Sequence, residues 1–359
     1  MTLINQLTFY VNPEWRRKGL HTPLLNPWWG NPYEESAIFS KQMFDAYSLD
    51  ISCYTITADI EEADLVFAPY KHNWLLNFDK DLLTECISTA RARNLPFLID
   101  GSGDIEYPIA EDNIYILRYG GYSFLPESNR IQIPLTTDDL LERCRNGALN
   151  IRKKSLGKPI VGFAGWTNLS LKQSVRNFLK ELPNRLRSIF DEKYRACIKG
   201  VILRKKAIKT LQKSSLVELN IRERSSFSAN PKTALGDMRE LQEEMVRTIL
   251  ESDYALDIKG DANNSARLFE ILSLGRIPVI IDTERNFPFS DRIDYSSFAL
   301  IVDFRDLKKL PEIIADFHKN ISEERFEQMQ KNAREAFVKY FRIDAFMKYV
   351  IEDLRKIIK

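Results

Sequence analysis

Between residues 254 and 282 the chain reads YALDIKGDANNSARLFEILSLGRIPVIID, and no other run constrains its fold as much. An apolar stretch gives way to a polar turn, then to apolar residues at helical spacing, then to the buried-type run IPVII. The pattern is strand, turn, helix, strand. The turn, Gly260-Asp261-Ala262-Asn263-Asn264, leads to Ser265 at the expected helix start. Unpaired backbone N–H groups and the helix dipole favour an anion at such a place. Arg267 falls in the first helical turn, where its guanidinium would add a charge-assisted fork to a diphosphate. Glu270 lies three residues on, along the same face, placed to accept hydrogen bonds from ribose hydroxyls. Leu268, Ile271 and Leu272 form the face that packs on a sheet, and Gly275 stands where a helix C-cap belongs. The competing reading is an ordinary βαβ crossover with Arg267 and Glu270 as a surface ion pair. The turn is neither G-x-G-x-x-G nor G-x-x-x-x-G-K-[ST], which disfavours a dinucleotide fold and a P-loop.

The rest of the chain repeats this grammar. Strands are expected at 7–11, 51–56, 64–69 and 96–100, with further short ones at 115–118 and 131–133. Helices are expected at 34–47 and 81–93. Residues 140–158 turn polar and basic, ending in Gly157 and Pro159, and mark a domain boundary. Beyond it come strands at 159–164, 216–221, 254–258, 277–281 and 298–302. The expected helices are 171–182, 188–190, 238–250, 265–274, one opened by an Asn320/Glu323 capping box, and a last one over 344–357. Strands alternating with helices predict mostly parallel sheets covered on both faces. The reading is therefore α/β with two Rossmann-like units facing across a cleft: residues 1–155, residues 156–340, and a C-terminal helix over 341–359 that packs back on the first unit.

Composition narrows the class. Of 359 residues, 44% are hydrophobic and 28% charged, enough apolar material for two cores. The formal net charge is +2, which gives no basis for nucleic-acid binding. No segment has the ~18 consecutive apolar residues of a membrane span, and the first residues lack the pattern of a signal peptide. Cys53, Cys86, Cys144 and Cys197 are scattered and read as reduced thiols of a cytoplasmic protein.

The run NNSARLFEILSLGRIPVII, followed by FPFSDRIDYSSFALIV and DLKKLPEII, resembles the C-terminal half of the exostosin-type (GT47) glycosyltransferases. That family's serine-x-arginine-leucine-x-glutamate helix, glycine-x-isoleucine-proline-valine strand and proline-phenylalanine-x-aspartate follow here in order. Fainter echoes are ADLVFAPY, PFLIDGSGD and KPIVGFAG. The resemblance implies a GT-B-like fold and a nucleoside-diphosphate sugar donor, a UDP-sugar first among them. It also implies inversion at the sugar carbon, no cofactor and no essential metal. The absence of a D-x-D triplet agrees with metal-free chemistry. In that setting Ser265, Arg267, Glu270, Asn264 and Gly260 would hold the nucleotide sugar, and Arg222 and Arg224 would add a second diphosphate contact. The acceptor would be a surface glycan or a lipid-linked glycan, met in the cytoplasm, with peripheral contact at the inner face of the membrane.

An inverting transferase needs a base for the acceptor hydroxyl. Asp100 and Asp104 follow a strand end, where ligands gather in open α/β sheets; turn chemistry around Gly101 and Gly103 is the competing account. His21 and His72 are the other candidates. Trp28, Trp29 and Tyr33 would stack on an acceptor sugar, or else pack as a lid or core. The basic segment 195–213 would attract an anionic glycan or membrane surface, or form a solvated helix face. Two rivals to the enzyme reading are a non-catalytic carbohydrate-binding or scaffold protein of the same fold, and another two-domain sugar-nucleotide enzyme.

Overall fold

The computed structural model describes residues 6–358 apart from 104–106, 108, 110–111, 126 and 227–232. Two sheets organise the chain, and every strand pair in both is parallel. The first has the order β2-β1-β3-β4-β5-β6, with β1 Leu7–Tyr10, β2 Tyr54–Thr57, β3 Leu65–Phe67, β4 Phe97–Asp100, β5 Ile114–Arg118 and β6 Arg130–Gln132. The second has the order β11-β10-β9-β7-β8, with β7 Ile160–Trp166, β8 Glu218–Arg224, β9 Tyr254–Asp257, β10 Ile277–Asp282 and β11 Leu300–Asp303. Parallel neighbours need long crossovers, and those crossovers cover the faces with helices. Hence β3, β4 and β9 are buried at every residue. Two such units across a cleft form a GT-B-like two-domain α/β fold.

Three expected elements differ from what the chain builds. Residues 171–190 form one helix, Leu171–Phe190, not two pieces, although Pro183 lies inside it. The helix runs along the surface, where water can take up the carbonyl that the ring leaves unpaired. The Glu181–Arg185 pair at 2.9 Å also spans the proline. The cap near residue 320 is Ser322, whose hydroxyl accepts from Arg325 N at 3.1 Å; Asn320 instead ends the preceding helix, Leu310–Asn320. Finally, β8 reaches Arg224, so Arg222 and Arg224 belong to the strand and do not follow it.

The two units do not have wholly separate cores. One apolar cluster contains Phe9, Phe67 and Leu117 of the first sheet, Leu268 and Ile280 of the second unit, and Phe337, Val350 and Leu354 from the end of the chain. A turn of π-helix, Phe337–Phe341, carries the chain back, and the helix Met347–Ile358 then lies against the first unit. Between the units, buried Asp139 accepts from Arg334 Nη1 at 2.6 Å and Nη2 at 3.0 Å.

Candidate active site

In each sheet the strand order reverses beside its first strand, and open α/β sheets bind ligands beyond the carboxyl ends of strands at such a point. In the second unit this point lies between β7 and β9. A cavity of about 490 Å³ opens there, between the two units. Gly165 and Trp166 at the end of β7, the turn after β9 and the helix Ala266–Ser273 form its floor. Phe39, Met43 and Asp138 close it from the first unit.

The turn is fixed from both sides by close backbone approach. A Cβ on Gly200 would lie 2.0 Å from Lys259 O, and one on Gly120 would lie 2.8 Å from Asn263 O. Buried Asn263 donates to Gly121 O at 2.9 Å and Thr283 O at 3.1 Å, and accepts from Thr283 Oγ1 at 2.6 Å. Behind it, buried Lys259 donates to Tyr122 Oη at 2.7 Å, and burial pulls its pKa down to about 8. The turn is thus a preformed piece of backbone, held to both units.

Ser265 occupies the N-cap of the helix Ala266–Ser273 but makes no side-chain capping bond. Its hydroxyl is buried, faces the cavity and has no hydrogen-bond partner among the described residues. Buried polar groups are nearly always satisfied, so an orphan one in a cavity wall is informative. Arg267 shows the same asymmetry. Its Nη2 donates to Ala164 O at 2.7 Å, which fixes the guanidinium on the end of β7. Its Nη1 lies 3.4 Å from Glu270 Oε2 as an ion pair, yet makes no hydrogen bond. Glu270 and Arg267 therefore do form the i,i+3 pair of the competing reading, but as part of a cavity wall.

A third group completes the cationic wall. Arg204, from the helix Gly200–Gln212, lines the cavity and donates to a carbonyl, Ile258 O, at 3.1 and 3.3 Å. Burial, and next the Arg267 guanidinium, pull its pKa down to about 10; the carboxylates of Asp257, Asp261 and Glu270 act in the opposite direction. Two guanidiniums that repel each other in a buried wall favour an anion between them. Other charges nearby are matched: Asp261 with Lys199 at 3.0 Å, Arg224 with Glu244 at 2.7 Å, and Asp138 with Arg143. Arg204 lay hidden in a segment read as a basic helix face. Its position as the cavity-facing member of that helix depends on the turn 259–265 meeting the helix start, which no local pattern encodes.

The cavity thus gathers Gly260, Asn264, Ser265, Arg267, Glu270 and Arg224 of the expected residues. Arg222 is outside it, half exposed, 3.6 Å from Glu244 Oε1. Residues two apart on a strand are ~6.6 Å apart along it, so Arg224 alone reaches the cavity end. Asp100 is buried among its own neighbours, accepting from Thr22 Oγ1 at 2.8 Å and Ser102 N at 2.9 Å. Asp104 lies outside the described residues. His21 has its Nε2 3.1 Å from Gly30 O, and burial lowers its pKa. His72 is buried too, and burial with the nearby Arg118 charge pulls its pKa down to about 4. Trp28 packs edge-on against Tyr54, Trp29 against His21, and Tyr33 stacks on Phe44. None of Asp100, His21, His72, Trp28, Trp29 and Tyr33 lines the cavity. Among the described residues no group of three or more His, Cys, Asp or Glu side chains could hold a metal ion. No helix among them is long and apolar enough to cross a membrane.

Comparison with known proteins adds the following. Residues 193–317 match the Exostosin GT47 domain. An Exostosin-1 homolog from Caenorhabditis elegans is 31% identical over 94 residues, which are 26% of this chain and 24% of that protein. The match thus spans about a quarter of that relative's length. Among solved structures, a glycosyltransferase from Rickettsia africae ESF-5 is 11% identical, with 99% of this chain and 98% of that one covered at a TM-score of 0.37. Anabaena HepE in complex with UDP-glucose is 10% identical, with 98% and 99% covered at a TM-score of 0.37. TarM is 9% identical, with 77% and 53% covered at a TM-score of 0.35. The matched stretch 193–317 contains Arg204, the turn after β9, Ser265, Arg267 and Glu270, so over the residues that line the cavity from the second unit the chain is similar to the exostosin-type glycosyltransferases.

Proposed function

We propose that the protein transfers a sugar from a nucleoside-diphosphate donor to a hydroxyl of a glycan acceptor. The observation that carries this reading is the pair of unsatisfied groups in the cavity wall: Ser265 Oγ and Arg267 Nη1 are both buried and without a hydrogen-bond partner. A diphosphate at the N-terminus of the helix Ala266–Ser273 would satisfy both and relieve the repulsion between Arg267 and Arg204. Glu270 would then turn from Arg267 to the ribose hydroxyls.

The chemistry follows from where charge develops. As the glycosidic bond to the donor breaks, negative charge builds on the leaving diphosphate. Donors already fixed in a partly closed cavity stabilise that charge without reorganising. Arg267 is anchored by the Ala164 carbonyl of β7 and Arg204 by the Ile258 carbonyl just after β9, so their geometry does not depend on the ligand. Displacement with inversion is part of this proposal and rests on the family resemblance. It needs a base on the acceptor side. Among the described residues, Asp138 is the carboxylate that the first unit brings to the cavity lining, and it would have to release its Arg143 partner to act as the base. Asp104 follows β4 in the same unit and stays in the proposal as a second candidate. Asp100 is committed to Thr22 and Ser102.

The test is a thermal-shift panel of nucleoside diphosphates and their sugars, headed by UDP, on the wild type and on Arg267→Ala. A ligand present at about 100 times its Kd stabilises by about 2.7 kcal/mol. A shift in the wild type that vanishes in Arg267→Ala is expected. No shift with any nucleotide would sink the donor pocket. Retention of anomeric configuration in the product, read by NMR, would remove the inverting step and leave the donor pocket standing.

A further inference from the structure

The helix Leu171–Phe190 is built inside out. Its only buried residue is a glutamate, Glu181, whose carboxylate accepts from Lys199 N at 2.7 Å and Arg185 Nη2 at 2.9 Å. Its apolar residues face solvent. Leu171, Val175, Leu179, Leu182, Leu186 and Ile189 are all exposed, Leu171 at 88%. Phe178 and Phe190 extend the same stripe. At 100° per residue all eight fall within an arc of about 120°. A globular helix with such a stripe normally turns it to the core, and a contiguous apolar strip on a surface marks an interaction site.

The helix does not need a core to form. Ser170 Oγ accepts from Gln173 N at 3.2 Å and Gln173 Oε1 accepts from Ser170 N at 2.9 Å, a complete capping box. Its charges are lopsided, with five basic residues and one acid, Glu181, which is buried and paired. Lys172, Arg176, Lys180 and Arg187 run down one flank of the apolar stripe. On the other flank Arg185 stands near a hollow of about 300 Å³ whose walls include Ser174, Lys206 and Lys209. The Arg185 and Arg195 charges join burial in lowering the pKa of Lys206, a sign of excess positive potential on that side.

We infer that this helix is a membrane-contacting element that lies in the surface of an anionic bilayer, with its apolar stripe in the headgroup boundary and its basic flanks on acidic lipid. An apolar strip between two basic borders is the pattern of helices that lie in the interface plane, and the charges along it forbid spanning. A second copy of the chain fits the same face poorly. A two-fold contact would bring the patch against itself, and its basic borders would then meet basic borders.

The experiment uses the full chain with vesicles of phosphatidylcholine, with and without phosphatidylglycerol. Sedimentation with the anionic vesicles alone is expected, weakening as salt rises. Each basic residue at a membrane surface contributes about fivefold in partitioning, so Lys172→Gln/Arg176→Gln/Lys180→Gln should weaken it roughly a hundredfold. Leu182→Ser/Leu186→Ser/Ile189→Ser should weaken it at least tenfold. Circular dichroism and the nucleotide thermal shift of both variants should match wild type. Equal binding to both vesicle types, or binding to neither, would overturn the inference. So would a wild-type dimer, seen by light scattering, that the Leu182→Ser/Leu186→Ser/Ile189→Ser variant abolishes.

Discussion

The loops after β4 and β9 both leave the carboxyl end of a parallel strand and carry glycines and acids, yet the groups singled out in each end in opposite conditions. After β4, Asp100 is fully used, since Thr22 donates to one oxygen and Ser102 N to the other, while the buried Ser102 hydroxyl has no partner among the described residues and lies outside the cavity. After β9, the backbone of the turn is equally well held, through Asn263, but the groups facing the cavity, Ser265 Oγ and Arg267 Nη1, are left without partners. An unsaturated polar group on a rigid scaffold marks where a ligand goes when it lines a cavity, as Ser265 Oγ and Arg267 Nη1 do and Ser102 Oγ does not. Sequence shows both loops as strand ends with glycines and acids, and does not separate them.

Substitutions can break the contrast. The largest effect is expected from Arg267→Ala, which removes a fixed cation from the site: nucleotide affinity measured by calorimetry should fall by about 3 kcal/mol, more than a hundredfold. Unchanged affinity would return Arg267 to the role of a plain surface pair. Next is a pH effect in the first unit. His72 has a folded pKa of about 4, below its ordinary 6.5, so the unfolded chain binds the extra proton first. Stability should therefore rise with pH through the window from 4 to 6.5 and be lost on acidification, by up to about 3 kcal/mol. His72→Leu should flatten that window in denaturant titrations. Asp100→Ala should cost about 2 kcal/mol of stability, because it leaves the Thr22 hydroxyl and Ser102 N–H buried and unpaired. Nucleotide affinity should not move, and a large loss of it would make Asp100 part of the donor site. Ser265→Ala should do the reverse on a smaller scale: affinity down by about 1 kcal/mol, with stability within ~0.5 kcal/mol, since no cap bond is lost.

Much of the second unit was legible because its signals are local. The strand-turn-helix-strand of 254–282 is written in residues close in sequence, and β9, the helix Ala266–Ser273 and β10 follow that reading within a few residues. Arg204 was not legible, because its place in the wall comes from the packing of one helix end on a distant turn. The helix Leu171–Phe190 was read as two pieces, 171–182 and 188–190. Its exposed apolar stripe shows only once the rest of the fold leaves that face uncovered. Asp138 escaped notice for the same reason as Arg204, since its cavity exists only once both units are in place.

The clamp around the turn after β9 has a mechanical consequence. Ser123 N donates to Glu284 O at 2.8 Å and Asn286 N to Gly121 O at 3.1 Å, so backbone from one unit is stitched to the other within a few residues of Asn263. The apolar cluster that runs through both sheets and the end of the chain ties them a second time. An enzyme of two freely hinged halves would admit its donor by swinging open. Here such a swing would tear polar stitching and shear a common core, so ligand traffic must use the mouth of the cavity and the side chains around it.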